Sequence, residues 1–236
     1  IPSHCYFDAA HYKRELETIW YKDWVCIGRE EALAKPGDYV TVMIGDQNII
    51  VTRTEDGLRA FHNTCRHRGS QICSDESGHF RNGRIICPYH TWTYSLEGEL
   101  LATPHRLDTG SFDRANYPLY DVRLETWRGF IFVNLAENPE SRVLEQLGTE
   151  ADWVRNWPLE DMRSVHQVSK SVASNWKIYW ENYSEGYHCP RIHPALCHIM
   201  PVYKLGTSDS RDIPDWTRAD HGDAETWSPD GKSTLP

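Results

Sequence analysis

Two short segments, each with one cysteine and one histidine, constrain this chain more than any other feature. The first contains Cys65 and His67, separated by one residue, and the second contains Cys87 and His90, separated by two. Together they offer two thiolates and two imidazoles, which is enough to hold a zinc ion or an iron–sulfur cluster. The sequence therefore predicts that the intervening chain folds back and brings both segments to one metal centre.

Charge and hydropathy exclude two large classes of function. The chain has 236 residues and a formal net charge of −9, and no basic stripe runs along it. Nucleic acids and anionic membrane surfaces both select clustered lysine and arginine. No apolar run reaches the roughly 18 residues that a membrane-spanning helix needs. We therefore predict neither nucleic acid nor a membrane as a partner.

The cysteines and the N-terminal residues indicate the cellular compartment of the protein. Seven cysteines, an odd number with irregular spacing, stand in a chain that is long for a disulfide scaffold. This pattern favours a reducing compartment, with some cysteines serving as metal ligands. The residues from Ile1 to Cys5 lack a basic-then-apolar signal pattern. The predicted location is the cytoplasm.

Periodicity and turn residues predict a helix, then a small antiparallel β domain that carries both Cys/His segments, then further helices. Helices are predicted over residues 8–24 (with Asp8 as N-cap), 140–147 (ended by Gly148) and 176–187 (with an aromatic face). Strands are predicted over residues 39–44, 48–52, 58–62, 127–134 and 165–173, with a hairpin turn at 97–99. The tail from Ser208 onward, which is poor in apolar residues, is predicted to be a surface loop or poorly ordered.

A structural zinc site is the common alternative for two cysteines and two histidines. Here each segment mixes the two residue types, whereas common zinc fingers pair Cys with Cys and His with His. The surroundings are β-rich and carry no basic surface. Moreover, the two segments resemble the cluster-binding motifs of Rieske 2Fe-2S proteins over their full length: Cys65-Arg66-His67-Arg68-Gly69 and Cys87-Pro88-Tyr89-His90-Thr91-Trp92-Thr93-Tyr94.

The resemblance implies that Cys65 and Cys87 bind one iron of a 2Fe-2S cluster and that His67 and His90 bind the other. Replacing two thiolates by neutral imidazoles raises the reduction potential from about −400 mV to roughly −150 to +300 mV. Such a cluster accepts an electron and passes it to an acceptor of higher potential. Cys73 lies between the segments but outside either motif, and we predict a small buried residue rather than a ligand.

A second candidate centre lies downstream, where His188 and His193 stand five residues apart. Two such histidines alone are more often ordinary polar residues. The stretch from Glu181 to Pro194 nevertheless resembles the iron-binding stretch of Rieske non-haem iron oxygenases, which use two histidines and a distant carboxylate. The resemblance implies that His188 and His193 bind mononuclear iron. The third carboxylate ligand is unknown, because none of the available aspartates sits in a matching motif: Asp209, Asp212, Asp215, Asp220 and Asp223.

Glu185 occupies the place of the acidic residue that bridges the Rieske cluster of one subunit to the mononuclear iron of its neighbour. A carboxylate three residues before His188 can reach that imidazole on one helical face. Most ring-hydroxylating members of the family have Asp here. The Glu form is similar to the branch that oxidises quaternary ammonium compounds such as glycine betaine, carnitine or stachydrine.

The resemblance implies an α+β fold in which an antiparallel all-β Rieske domain is inserted beside an α+β helix-grip-like catalytic domain. The predicted segments are residues 1–36, packing on the catalytic domain, 37–139, the Rieske domain, and 140–236, the start of the catalytic domain. Family members continue well beyond 236 residues. We therefore expect the chain to be part of a longer protein.

The function implied is the oxygenase component of a Rieske monooxygenase system. A reductase with flavin and iron–sulfur groups would take electrons from NAD(P)H, the 2Fe-2S cluster would relay them, and mononuclear Fe(II) would activate O₂. The expected reaction is hydroxylation or demethylation of a small quaternary ammonium substrate by a homotrimer. Two other readings remain open besides zinc: the large subunit of an aromatic ring-hydroxylating dioxygenase, and a Rieske-type electron carrier, which would leave residues 150–236 unexplained.

Overall fold

The structure, a computed structural model, describes residues 1–104 and 110–199. These residues divide into two compact units, one of residues 13–165 and one of residues 1–12 with the described residues from 166 onward. Within the described ranges, no helix combines the length and the apolar character that crossing a bilayer requires. The predicted tail from Ser208 onward lies outside them.

Along the sequence, short helices precede and follow a β-rich segment. The α-helices are α1 (Ala9–Glu15), α2 (Val143–Leu147), α3 (Glu150–Trp153), α4 (Trp176–Tyr183), α5 (Cys189–Ile192) and α6 (Pro194–Ile199). A π-helical turn, Leu16–Trp20, continues α1. Single 3₁₀ turns cover Ser3–Tyr6, Glu30–Ala32, Arg81–Gly83, Arg114–Asn116 and Leu159–Asp161.

The strands form three antiparallel sheets within residues 13–165. The strands are β1 (Val25–Arg29), β2 (Asp38–Ile44), β3 (Gln47–Thr54), β4 (Gly57–His62), β5 (Ser77–His79), β6 (Ile85–Ile86), β7 (Thr93–Tyr94), β8 (Leu100–Ala102), β9 (Arg123–Trp127) and β10 (Phe130–Asn134). Their orders are β4-β3-β2-β5, β6-β7-β8 and β1-β10-β9. The expected α+β class with an antiparallel β domain is confirmed.

Strand β3 is buried on both faces, and this position supports the Cys/His segments. Successive side chains of a strand point to opposite faces. On one face Ile50 joins the core that contains Phe61, Ile85, Tyr94 and both motif cysteines, Cys65 and Cys87. On the other face Ile49 and Val51 join a second core with Leu33, Ala60, Ile131 and Val133. The sheet that packs against the two motif cysteines is therefore also packed on its other face.

The predicted strands at 39–44, 48–52 and 58–62 correspond to β2, β3 and β4, within two residues at each end. The hairpin turn at 97–99 is also confirmed, because Ser95 N–H donates to Glu99 O at 2.9 Å and Gly98 has φ +89°. These predictions succeeded because β-branched alternation and Gly-containing turns coincide in this region. Cys73 is buried, as predicted.

The strand predicted over residues 127–134 is confirmed only from Phe130, as β10, because residues 123–134 form the hairpin β9–β10. Its turn residues, Arg128 at φ +47° and Gly129 at φ +83°, are both left-handed, as a type I′ turn requires. Arginine gives no turn signal at such a site. Here its guanidinium is held by Glu160 Oε2 at 2.9 Å and by the carbonyl of Val154 at 2.7 Å.

The strand predicted over residues 165–173 is wrong. These residues adopt no regular structure, and the apolar side chains that suggested alternation are exposed: Val165, Val168 and Val172. Weak alternation stabilises a strand only where one face is buried against a partner. Within the described part of the chain, these valines have no buried face.

Three predicted helices exist but are shorter. The first ends at Trp20 with its π-helical turn, and Asp8 caps it as predicted, accepting from Ala10 N–H at 2.7 Å. The helix before Gly148 begins only at Val143. The third, α4, ends at Tyr183. Pro190 and Pro194 lie in the first turns of α5 and α6, where a missing N–H costs nothing.

Candidate metal centres

The first Cys/His segment folds into a tight loop closed by its own backbone. Cys65 N–H donates to Ser70 O at 2.9 Å, and Gly69 N–H donates to Cys65 O at 3.0 Å. Gly69, the fourth residue after the cysteine, is left-handed at φ +71°, a conformation that glycine adopts without strain. The loop therefore presents its cysteine and histidine from a fixed frame.

The second segment repeats this frame. Cys87 N–H donates to Trp92 O at 2.9 Å, and Thr91 N–H donates to Cys87 O at 3.0 Å. Thr91 is again the fourth residue after the cysteine and is again left-handed, at φ +56°. The two loops are thus backbone equivalents, although their sequences differ and their histidines follow the cysteine by different spacings.

The two motif thiols are buried side by side. Cys65 is 2% exposed and Cys87 is 1% exposed. Burial raises the pKa of the Cys65 thiol, and the neighbouring Cys87 raises it further. Burial therefore makes the Cys65 thiol costly to ionise. A bound cation that accepts both sulfurs would remove this cost.

The two motif imidazoles lie together on the outer side. The ring centroids of His67 and His90 are 4.7 Å apart and the rings are nearly perpendicular, while the indole of Trp92 stacks on His67 at 4.8 Å. Burial and the nearby His90 lower the pKa of His67, which favours the neutral, ligating form. Both rings line a cavity of about 680 Å³ together with Phe112 and other residues.

This arrangement fits a Rieske 2Fe-2S cluster. Two buried sulfurs on one side and two accessible imidazoles on the other match a group with one thiolate-bound iron and one imidazole-bound iron. The predicted residues Cys65, His67, Cys87 and His90 are therefore brought together, and their assignment as ligands stays a prediction.

Two supporting residues were missed by sequence reasoning. Buried Asn63 accepts from the N–H groups of Ile72 and Cys73 at 2.9 and 2.8 Å, and donates to Cys73 O at 2.7 Å. Tyr94 places its hydroxyl 3.3 Å from Cys65 Sγ. Nothing in the sequence around Asn63 marks it. Tyr94 belongs to the second motif, but its contact with the first loop is visible only in three dimensions.

The second candidate centre is built by the chain that joins α4, α5 and α6. His188 lies immediately before α5 and His193 immediately after it, and their ring centroids are 5.3 Å apart at 74°. The short helix therefore converges two imidazoles that a continuous helix would separate. The five candidate aspartates from Asp209 to Asp223 lie outside the described residues.

Glu185 holds one of these imidazoles. Its Oε1 lies 2.5 Å from His188 Nδ1, and its Oε2 accepts from Tyr187 N–H at 2.6 Å. The hydrogen bond from His188 lowers the pKa of the Glu185 carboxyl, which therefore stays ionised. With Nδ1 engaged, Nε2 is the nitrogen left for a metal, the arrangement typical of ligating histidines. Glu185, His188 and His193 thus fit a mononuclear iron site.

Two family models match the parts of the chain in which the two candidate centres lie. Residues 23–113 match the Rieske [2Fe-2S] domain. Residues 159–236 match the catalytic domain of the ring hydroxylating alpha subunit.

Individual relatives are similar to this chain over most of its length. The chain is 34% identical over 201 residues to a glycine betaine monooxygenase oxygenase subunit of Pseudomonas aeruginosa, covering 85% of this chain and 46% of the relative. A solved quaternary ammonium Rieske monooxygenase, described in relation to carnitine oxidation and inter-subunit electron transfer, superposes with a TM-score of 0.79 at 32% identity, covering 85% of this chain and 55% of the other. A naphthalene 1,2-dioxygenase gives a TM-score of 0.69 at 29% identity, with coverages of 86% and 47%. The chain spans about half the length of these relatives, and with a Rieske domain followed by an alpha-subunit catalytic domain it belongs to the Rieske non-haem iron oxygenases.

Proposed function

We propose that this chain belongs to the oxygenase component of a Rieske monooxygenase system that hydroxylates a small quaternary ammonium substrate. The observation that carries the proposal is the Glu185 carboxylate on His188 Nδ1, in a chain that also carries the paired Cys/His loops. The 2Fe-2S cluster and mononuclear Fe(II) would supply the electron relay and the activation of O₂. Cys65, His67, Cys87 and His90 would hold the former.

His188 and His193 would hold the mononuclear iron, and a third carboxylate would complete its ligand set. Glu185 fixes the tautomer and the orientation of His188, which would leave Nε2 available to bind the metal. The carboxylate also makes the imidazole a stronger donor. Both effects depend on the charge of Glu185 and would be lost with a neutral side chain.

The overall reaction takes O₂, two electrons and two protons, inserts one oxygen atom into a C–H bond and releases the other as water. Hydroxylation of a carbon bonded to the quaternary nitrogen gives a carbinol. This carbinol loses its hydroxyl proton and breaks its C–N bond, with the electron pair leaving on nitrogen. An N-methyl carbon is released as formaldehyde, and any other carbon as a larger aldehyde with a tertiary amine.

Two partners follow from this proposal. A reductase with flavin and iron–sulfur groups would deliver electrons from NAD(P)H to the cluster. A homotrimer would place the cluster of one subunit against Glu185 of the next, which would give that carboxylate its bridging role.

The seven cysteines, all within the described residues, form no disulfide, and we propose a reducing cytoplasmic location.

The deciding experiment is a screen of O₂ uptake by the full-length protein with a matched reductase, over quaternary amines and arenes. We expect uptake with a quaternary amine, accompanied by stoichiometric aldehyde and amine. Formation of a cis-diol from an arene would favour the aromatic dioxygenase, the second candidate, which the naphthalene 1,2-dioxygenase similarity supports. A reducible cluster without mononuclear iron or O₂ uptake would point to an electron carrier, and zinc without iron to a structural site.

A further inference from the structure

A third group of metal-binding side chains lies in the N-terminal segment, outside both centres described above. His4, Cys5 and His11 place one ligand atom each within 4.8 Å of one another. Cys5 Sγ is 3.7 Å from His4 Nε2, and the rings of His4 and His11 are 5.8 Å apart at 85°. The three donors therefore already converge.

Asp8 ties the two parts of this group together. Its backbone N–H donates to His4 O at 2.9 Å, while its Oδ1 accepts from the N–H groups of Ala10 and His11 at 2.7 and 3.2 Å. One residue thus fixes the Ser3–Tyr6 turn to the first turn of α1. These local hydrogen bonds fix the positions of His4, Cys5 and His11 relative to one another.

The same segment is anchored within its own unit. Tyr6 donates from its hydroxyl to Glu181 Oε1 at 2.6 Å, and Asn175 Nδ2 donates to Tyr6 O at 3.1 Å. These contacts hold the turn that carries His4 and Cys5 against the start and body of α4. The donors therefore lie on a supported turn.

The donor set selects the kind of cation. Two imidazoles and a thiolate suit borderline or soft ions, whereas Mg²⁺ and Ca²⁺ require oxygen ligands. Tetrahedral zinc, with Zn–N of about 2.0 Å and Zn–S of about 2.3 Å, needs donors roughly 3.3–3.6 Å apart. The Cys5–His4 separation is already close to this, and small side-chain rotations would close the rest.

Local charge also favours a cation. The Asp8 carboxylate accepts from the N–H groups of Ala10 and His11 and lies near both imidazoles. A fixed negative charge close to a ligand set raises its affinity for a positive ion.

We propose that His4, Cys5 and His11 form a Zn²⁺ site with three protein ligands and a fourth position for water. Binding replaces the thiol proton of Cys5, which is released to solvent, and changes no oxidation state. The ion links the Ser3–Tyr6 turn to α1. The site is independent of both iron centres and of the reaction proposed above.

The first test uses thiol reactivity in the iron-loaded, full-length protein. Iodoacetamide labelling of Cys5 is followed by peptide mass spectrometry, with and without Zn²⁺. We expect Zn²⁺ to slow Cys5 labelling at least tenfold and a chelator to restore it. Cys26, which is exposed and outside the group, serves as the internal control and keeps its rate.

Variants then identify the ligands. His11→Gln should abolish the protection of Cys5 by Zn²⁺, whereas His166→Gln, an exposed histidine of the same unit, should leave it intact. X-ray absorption at the zinc edge should show a sulfur at about 2.3 Å and nitrogens at about 2.0 Å, and Cys5→Ser should remove the sulfur. Cys5 labelling that ignores Zn²⁺, protection that persists in His11→Gln, or a zinc shell without sulfur would overturn the proposal.

Discussion

The hydroxyl of Tyr94 lies 3.3 Å from Cys65 Sγ, so the second Cys/His loop contacts the thiol of the first. The backbone N–H of Arg66 donates to the same hydroxyl oxygen at 3.1 Å. This donor occupies one acceptor site of the oxygen, which favours the arrangement in which the hydroxyl proton points towards sulfur. Burial and the contact with Cys65 both raise the pKa of Tyr94 far above its usual range, which keeps the hydroxyl protonated.

Tyr94→Phe should lower the reduction potential of the cluster. A hydrogen bond to sulfur stabilises the more electron-rich, reduced state. Its loss costs roughly 1 kcal/mol, which for a one-electron couple corresponds to about 40 mV. Redox titration followed by EPR measures the change. Tyr39→Phe is the matched control, because Tyr39 neighbours Cys73, which lies outside both motifs. Equal potentials in wild type and Tyr94→Phe would show that the proton is not directed at sulfur.

Thr91→Gly should stabilise the protein. Thr91 and Gly69 hold the same place in the two loops, but only Thr91 has a side chain that opposes the left-handed conformation. Relief of about 1–2 kcal/mol of strain exceeds the roughly 0.5–1 kcal/mol that glycine costs through unfolded-chain entropy. A rise in Tm of roughly 2 °C is expected by thermal unfolding of the cluster-loaded protein. The reverse change, Gly69→Thr, should lower Tm, and a fall in Tm for Thr91→Gly would contradict this account.

Asn63→Ala should destabilise the first loop. It leaves the buried N–H groups of Ile72 and Cys73 without their acceptor, at about 1–3 kcal/mol each. We expect a fall in Tm of roughly 5–15 °C and a lower iron content per chain. Asn48→Ala removes only one contact of Asn63, at 3.1 Å, and should cost much less. Similar losses in the two variants would mean that the Asn63 acceptor contributes little.

Stability should depend on the ionisation of Asp38 at acid pH. The hydrogen bond from His79 Nδ1, 2.8 Å long, lowers the pKa of this carboxyl below its unfolded value of about 3.9. The stabilisation is therefore complete above that value and is lost as pH falls through the lower, folded pKa. Asp38→Asn should lower Tm by roughly 2 °C near pH 6, because the pair is partly exposed.

That difference should shrink as pH falls from about 3.9 towards the lower, folded pKa, where wild-type Asp38 becomes protonated and resembles asparagine. Thermal unfolding of both proteins between pH 3 and pH 7 measures it. Asp56→Asn, in the exposed turn between β3 and β4, provides the comparison. A difference that stays constant over this range would exclude the ionised Asp38 as its source.

The sequence predicted the parts of this fold that depend on local pattern. Strands β2 to β4 follow β-branched alternation, and both loops follow motif residues. The hairpin at Arg128–Gly129 was missed because its turn depends on distant groups, Glu160 and Val154, that hold the arginine. Asn63 and the Tyr94–Cys65 contact were missed for the same reason. His4, Cys5 and His11 come together where a 3₁₀ turn precedes α1, and no helix or strand periodicity in the sequence indicates this grouping.

Glu185→Gln should leave the cluster reducible while slowing substrate oxidation. Glutamine keeps the length of the side chain but replaces the charged acceptor at His188 Nδ1 with a neutral one. Loss of such a partner typically costs 10–100-fold in activity or metal affinity. Chemical reduction of the cluster, followed by its absorbance, should match wild type, while O₂ uptake with the active substrate falls at least tenfold.

Glu181→Gln is the matched control, because Glu181 lies one turn earlier and accepts from Tyr6 rather than from a histidine. It should retain most of the turnover. Iron content measured in parallel separates a loss of metal from a slower reaction at a filled site. A Glu185→Gln protein with full iron, in which reoxidation of the reduced cluster during turnover also slows, supports the bridge between subunits. Wild-type turnover in Glu185→Gln, or an equal loss in Glu181→Gln, would remove that role from Glu185.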